Sequence, residues 1–172
     1  MHTVFSGVIG SNLYGCANAD SDLDMINIYI ESLPEFIMKG EAKNSHVIDE
    51  SANTDTVTMS LLKAVKNLRD GGPNAMPLLW HPTADYTWQW QEVLDIRRIF
   101  VTRKASKSFL GAALHSQAAF QRMMDAGNET KALKEAATAF RWLHESMDLE
   151  RHGALTYPLR QNVLDEFVAI RM

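Results

Sequence analysis

The sequence predicts an α/β protein of the α+β kind: a small mixed β-sheet core flanked by helices, followed by a C-terminal helical bundle. Three observations carry this. Short runs rich in β-branched residues occupy the first 60 positions. From Trp88 onward the apolar residues recur at helical spacing. Strands come first and helices follow, as in a sheet packed against a helical unit. The 172 residues suit one compact domain or a small α/β domain with a helical extension, and 46% hydrophobic content can fill a core.

The elements follow in order. Thr3 to Ile9 reads as a strand ending at Gly10-Ser11, where the chain turns. Asn12 to Ser21 reads as a loop, or a short helix followed by a loop. Leu23 to Ile30 (LDMINIYI) alternates partly and is rich in Ile, so it reads as a strand. Pro34 and Gly40 bracket an irregular or short helical piece, and short strands are expected near Ser45 to Ile48 and Thr54 to Thr58. Ser60 to Asp70 places Leu61, Leu62, Val65 and Leu68 on one helical face, and Gly71-Gly72 stops it. Asn74 to Trp80 reads as a short helix before Pro82. Four helices follow, over Trp88–Phe100, Lys104–Ala126, Glu129–Arg151 and Arg160–Ile170, with breaks at Gly127-Asn128 and His152-Gly153. The expected organisation is a core over residues 1–95 and a helical region over 96–172 packed on it. Internal repeats and low-complexity segments are absent from the sequence.

Composition narrows the function classes. Cys16 is the single cysteine, which excludes an intrachain disulfide framework and suits a reducing, cytoplasmic setting. Met1 to Ile9 lacks a basic region followed by a long apolar run, so no signal peptide is expected, and no apolar stretch is long enough to span a bilayer. A net charge of -4 argues against a general polyanion-binding surface. The charge is uneven. Residues 1–90 hold 5 Lys and Arg against 11 Asp and Glu, and residues 91–172 hold 12 against 10. An acidic first half suits a metal site, and a mildly basic second half suits phosphates; solvated charged faces would give the same pattern.

The stretch Gly10 to Asp24, GSNLYGCANADSDLD, carries the chemistry. Ten residues separate Ser11 from Asp22, and Asp24 follows at two-residue spacing. On a strand, positions 22 and 24 share a face, about 6.6–6.8 Å apart. Two carboxylates so placed raise each other's pKa, and a divalent cation relieves the repulsion. Hard oxygen ligands favour Mg²⁺ or Mn²⁺ over Zn²⁺. Gly10 permits a tight turn and close approach of backbone N–H groups to a phosphate, and Ser11 adds a hydroxyl. Alone, Asp-x-Asp is weak, and Ser21-Asp22 would serve equally as a turn. Its conjunction with strand, Gly-Ser and gap is more specific.

With the continuation to Ile30, this stretch resembles the DNA polymerase beta-like nucleotidyltransferase superfamily, whose signature is Gly-Ser, a gap of about ten residues and Asp-x-Asp or Asp-x-Glu. Tyr14-Gly15 and Ser21-Asp22-Leu23-Asp24 look closest to the bacterial and phage RNA-repair-pathway polymerase beta-like members. DTVTMSLLKAVKNLRDGGPNAMPLLWHP is similar to that family's strand-helix region and the turn after it, and Lys134 and Arg141 in KEAATAFR match a later Lys-Arg helix. The resemblance implies that Asp22 and Asp24 hold two metal ions. It implies a third carboxylate that completes the site and takes the acceptor's proton, for which Asp55 is the candidate and Asp49 and Glu50 the fallbacks. Gly10, Ser11, Asn12, Tyr14, Lys134 and Arg141 would bind the nucleotide. The partners implied are an NTP and an acceptor that is an RNA or DNA end, a protein hydroxyl or a small molecule.

This sequence also departs from the family pattern. Gly72-Pro73 stands in place of Asn-Pro, Pro77 in place of Glu, Thr138 in place of a His, and Asn12 in place of a basic residue. These departures bear on the acceptor. They also keep open a nucleotide-binding or regulatory module without turnover that acts through a protein partner. A transferase that modifies a partner toxin fits the small size but is less attractive, because Tyr14-Gly15 stands in place of the Arg-Gly common there.

Other residues read more simply. Lys134 and Arg141 lie seven apart, about 20° from a common helix face, which is equally the pattern of a solvated surface. Arg103, Lys104 and Lys107 read as a surface basic cluster at a helix start. None of the six histidines pairs with cysteine at zinc spacing. Trp80, Trp88, Trp90 and Trp142 are able to stack on a base but read first as filling the seam between sheet and helices, and the methionines, Met123-Met124 included, read as core filler.

Overall fold

The computed structural model describes residues 2–18, 21–34, 37, 45–49 and 51–171. Its elements are β1 (His2–Val8), α1 (Gly10–Tyr14), β2 (Leu23–Ile30), β3 (Ser45–Asp49), β4 (Thr54–Ser60), α2 (Leu61–Arg69), β5 (Asp85–Tyr86), α3 (Trp88–Asp95), α4 (Arg103–Asp125), α5 (Glu129–His152) and α6 (Gln161–Arg171). Two 3₁₀ turns lie at Met76–Trp80 and Arg97–Phe100. The expected mixed sheet with C-terminal helices is what forms. Of the sequence expectations, Glu50 and most of the Pro34–Gly40 piece lie outside the described residues.

The sheet order is β3-β4-β2-β1-β5. β2 runs parallel to β4; β1–β2, β1–β5 and β3–β4 are antiparallel. This topology gathers the C-terminal end of β1 and the N-terminal ends of β2 and β4 at one rim. Val8 pairs with Met25, and Asp24 pairs with Asp55. The central strands bury Val4, Phe5, Ile26 and Ile28, while every residue of edge strand β3 is exposed.

Helix ends follow local chemistry. Ser60, Thr102 and Asn128 accept N-cap hydrogen bonds from Lys63, Ala105 and Lys131 N–H groups at 3.3, 3.2 and 3.2 Å. Residues 126–128 join α4 to α5, the most extensive helix–helix contact of the molecule. Within that pair Ser106 Oγ lies 3.0 Å from Ser146 Oγ and donates to Glu150 at 2.7 Å. One hydrophobic cluster joins Phe5 and Ile28 of the sheet to Phe109, Trp142 and Leu149 of the helices.

The structure corrects several readings. The helix expected over Trp88–Phe100 stops at Asp95 and resumes as a 3₁₀ turn. Trp90 and Trp142 are buried as expected, but Trp88 is 67% exposed because it occupies the first, outward position of α3. Met124 is 42% exposed in the last turn of α4, so it fills no core. Arg141 is not on a solvated face: it is 6% exposed.

Candidate active site

Asp24, the second residue of β2, lies directly beside Asp55 of β4, and Asp22 lies exposed one residue before the strand. The three carboxylates interact. Partial burial raises the Asp24 pKa, and the charges of Asp22 and Asp55 raise it further. The ladder extends past the strand ends, since Ile9 N–H donates to the Asp24 carbonyl at 2.8 Å. That bond brings Gly10 over the Asp24 side chain. Gly10 has φ +62°, and a Cβ there would lie 1.9 Å from Asp24 Oδ2. A side chain would fill the space the carboxylate uses.

The loop before β2 is tied from two sides. Asn12 Nδ2 donates to the Asp22 carbonyl at 3.2 Å, and Asn53 Nδ2 donates to the Ser21 carbonyl at 3.4 Å. Leu23 N–H donates to the Asn53 carbonyl at 2.9 Å. Asn12, read from sequence as nucleotide-binding, therefore engages its amide in fixing Asp22.

Among the described residues, no three His, Cys, Asp or Glu side chains close into a ready-made metal cage. Asp55 Oδ1 instead hydrogen-bonds His46 Nε2 across the β3–β4 hairpin. The donor set still fits Mg²⁺ or Mn²⁺. It consists of carboxylate oxygens alone, with Asp24 under repulsion that a cation would relieve, and Mg²⁺ needs only one or two protein carboxylates. Asp49, a fallback, uses its own carboxylate on Ser51 and the Ala52 N–H. Those bonds hold its pKa below the usual carboxylate range.

On the other side of Gly10, Ser11 and Tyr14 line a cavity of about 190 Å³ together with Lys134, Thr138, Arg141 and Arg171. The seven-residue spacing of Lys134 and Arg141 brings both to this space, where the exposed Arg171 of α6 joins them. Arg141 is fixed from several sides. Its guanidinium bonds Glu145 at 2.8 Å and lies 4.1 Å from the Tyr14 ring and 3.7 Å from the Trp142 ring. Glu145, 3% exposed, also accepts a hydrogen bond from the Tyr157 hydroxyl.

The charges in this network offset one another. Burial works against the Arg141 charge, but the Glu145 carboxylate opposes it and the guanidinium pKa is raised. Burial raises the Glu145 pKa, with Arg141 opposing. Burial also pushes the Tyr14 hydroxyl up to about 12, so it is a neutral phenol at any physiological pH. By contrast, Lys104 of the basic cluster is engaged with Asp70 at 2.8 Å and belongs to the surface.

His46 and Arg171 were not singled out from sequence. His46 reaches Asp55 because Ile48, on the same face of β3, is the register partner of Asp55. The strand expectations at 45–48 and 54–58 contain that pairing once a hairpin is drawn between them. Arg171 carries no local signal, because it approaches Ser11 only through the packing of α6.

The chain matches over residues 1–171 the family described as "RlaP: RNA repair pathway DNA polymerase beta family". No curated protein matches it in sequence. Among solved structures, a nucleotidyltransferase-like protein from Exiguobacterium sibiricum 255-15 is similar at 12% identity and a TM-score of 0.40, over 98% of this chain and 57% of that protein. This chain thus spans little more than half of that protein's length. A polymerase beta-like signature at the strand rim, the mixed sheet that carries it and a family match along the whole sequence agree: this chain belongs to the RNA repair pathway DNA polymerase beta family.

Proposed function

We propose that this protein transfers a nucleoside monophosphate from an NTP to a hydroxyl acceptor, an RNA end, with release of pyrophosphate. One observation carries the reading: Asp24 and Asp55 are register partners at the rim where Gly10-Ser11 leads from the carboxylates into the Lys134–Arg141–Arg171 cavity. Acidic residues for a metal and cationic residues for a triphosphate thus lie on opposite sides of one short turn.

The residues divide the work. Lys134 and Arg171 neutralise triphosphate oxygens, and the Gly10-Ser11 turn lets the chain come close to them. Arg141, held by Glu145 and Tyr14, presents a fixed guanidinium edge to the same space. Asp55 accepts the proton of the acceptor hydroxyl. The acceptor oxygen then bonds the α-phosphorus as the bond from that phosphorus to the β-phosphate bridging oxygen breaks, and pyrophosphate leaves with that oxygen. Asp22 and Asp24, with Asp55, would hold Mg²⁺ or Mn²⁺, which supplies charge neutralisation on the phosphates. Catalysis is then positioning and electrostatics, with no covalent enzyme intermediate. The single free thiol suits a reducing, cytoplasmic setting.

The RNA acceptor is supported by the family's description as an RNA repair pathway group. The test uses α- and γ-labelled NTPs with Mg²⁺ or Mn²⁺ and a short RNA carrying a free 3′ hydroxyl. The α label is expected on the RNA and the γ label in pyrophosphate, and both signals disappear in Asp22→Asn/Asp24→Asn. Metal-dependent NTP binding with no transfer to RNA, DNA, protein or small-molecule hydroxyls would instead identify a regulatory nucleotide-binding module.

A further inference from the structure

A second recess lies away from the carboxylates, against the 3₁₀ turn Arg97–Phe100. It has a volume of about 420 Å³, and its walls include Trp80, Arg97, Arg98 and His152. A smaller cavity of about 220 Å³ shares Trp80 and Arg97 with it, so these two side chains stand between two spaces. Neither cavity has an Asp or Glu in its wall among the described residues.

What marks the arginines is their place in an acid-free wall, whereas Lys104, Arg141 and Arg160 each face a carboxylate, of Asp70, Glu145 and Asp148. Arg97 and Arg98 are exposed, and among the described residues neither bonds a carboxylate or a carbonyl. Two adjacent guanidiniums lining one recess can donate to the same anion. Trp80 adds a half-buried indole face to the same wall, and a phosphate beside an aromatic face is the chemistry of a nucleotide. The smaller cavity includes Trp90, whose Nε1–H is buried with no acceptor among the described residues.

His81, which lines the smaller cavity, places Nε2 2.6 Å from the Val8 carbonyl, two residues before Gly10. Gly7 makes room for that ring, since a Cβ there would lie 2.9 Å from His81 Nε2.

We propose that the Trp80–Arg97–Arg98 recess binds one nucleotide unit of a single-stranded nucleic acid, the arginines gripping its phosphate and the indole stacking on its base. As the strand to be extended, this ligand rests on the transfer reading; as a bound strand, it does not. The preference for nucleic acid over a protein surface, which exposed Ile96 and Ile99 nearby would also suit, comes from the unpaired arginines and the acid-free walls.

The test is fluorescence anisotropy of end-labelled ten-nucleotide RNA and DNA single strands, without NTP or metal, over a salt series. Wild type is expected to bind with an affinity that falls with salt. Arg97→Ala/Arg98→Ala is expected to weaken binding about tenfold or more at 0.1 M salt and to reduce the log–log salt slope by about 0.7, the share of one phosphate contact on a single strand. Trp80→Leu loses about tenfold and Trp80→Phe much less. Arg122→Ala, an exposed cation in the last turn of α4, changes nothing. RNA and DNA binding alike, or RNA binding more tightly through its 2′ hydroxyl, both support the site. Absence of strand binding by wild type, or an unchanged affinity and slope in the double arginine variant, overturns it. Asp22→Asn/Asp24→Asn should bind the strand like wild type. Strand binding lost with the arginines but no label transfer refutes the enzyme reading alone, and transfer with arginine-independent strand binding refutes this site alone.

Discussion

The carboxylate of Asp24 occupies the space a side chain on Gly10 would fill, with Oδ2 1.9 Å from the position of that Cβ. The turn after β1 and the first carboxylate of β2 are therefore one structural unit. Gly10→Ala is expected to swing the Asp24 carboxylate away and to strain the backbone at φ +62° by about 1–2 kcal/mol. The side chain moves more easily than backbone, so the loss falls on function. Metal affinity measured by isothermal titration should drop well beyond what the small fall in Tm suggests.

Asp24 also sets a pH dependence. Its folded-state pKa is raised by burial, then by Asp22 and Asp55. In the unfolded chain it ionises at its ordinary value. The metal-free fold is thus penalised while Asp24 is ionised, and the penalty is relieved as pH falls through the raised pKa. Metal-free Asp24→Asn should accordingly be more stable than wild type at pH 7, with the difference shrinking toward pH 4. Saturating Mn²⁺ should reverse the order: at a hundredfold its Kd a ligand adds about 2.7 kcal/mol to wild type, about 5–10 °C in Tm for a chain of this size. Thermal melts across pH, with and without metal, read both effects.

Much of this site was legible in the residues. Gly10-Ser11, Asp22, Asp24 and Asp55 meet at one rim because β2 and β4 are parallel neighbours, and both strands could be read from their β-branched runs. The remainder depends on tertiary packing. Periodicity places Lys134 and Arg141 near one face but does not say whether that face is wet; Tyr14 and Tyr157, distant in sequence, decide it. β5 has two residues, too few to show a period. The stop at Asp95 has no Gly or Pro to mark it.

Buried Arg141 and Glu145 depend on one another. Glu145→Gln leaves a guanidinium in the core without its counter-charge and is expected to cost about 3–5 kcal/mol. Tyr157→Phe removes one hydrogen bond to that carboxylate and should cost about 1–3 kcal/mol. Chemical denaturation measures both, and the larger loss should belong to Glu145→Gln.

Gly71 joins the two halves of the fold at close range. A Cβ on it would lie 2.5 Å from the Ala105 Cα, which is backbone and cannot rotate away, and φ is +71°. Gly71→Ala is expected to cost about 3 kcal/mol or more through overpacking and strain. The fall in Tm should be about 6–12 °C, with metal affinity per folded molecule unchanged.

The most direct test of the account is transfer of α-label from NTP to an RNA 3′ end by wild type and by Asp24→Asn, at equal folded concentration and saturating metal. The account predicts transfer by wild type and a loss of at least about 10²–10³-fold in the variant, the scale for removing one preorganised electrostatic group. A wild-type rate retained by Asp24→Asn would contradict it.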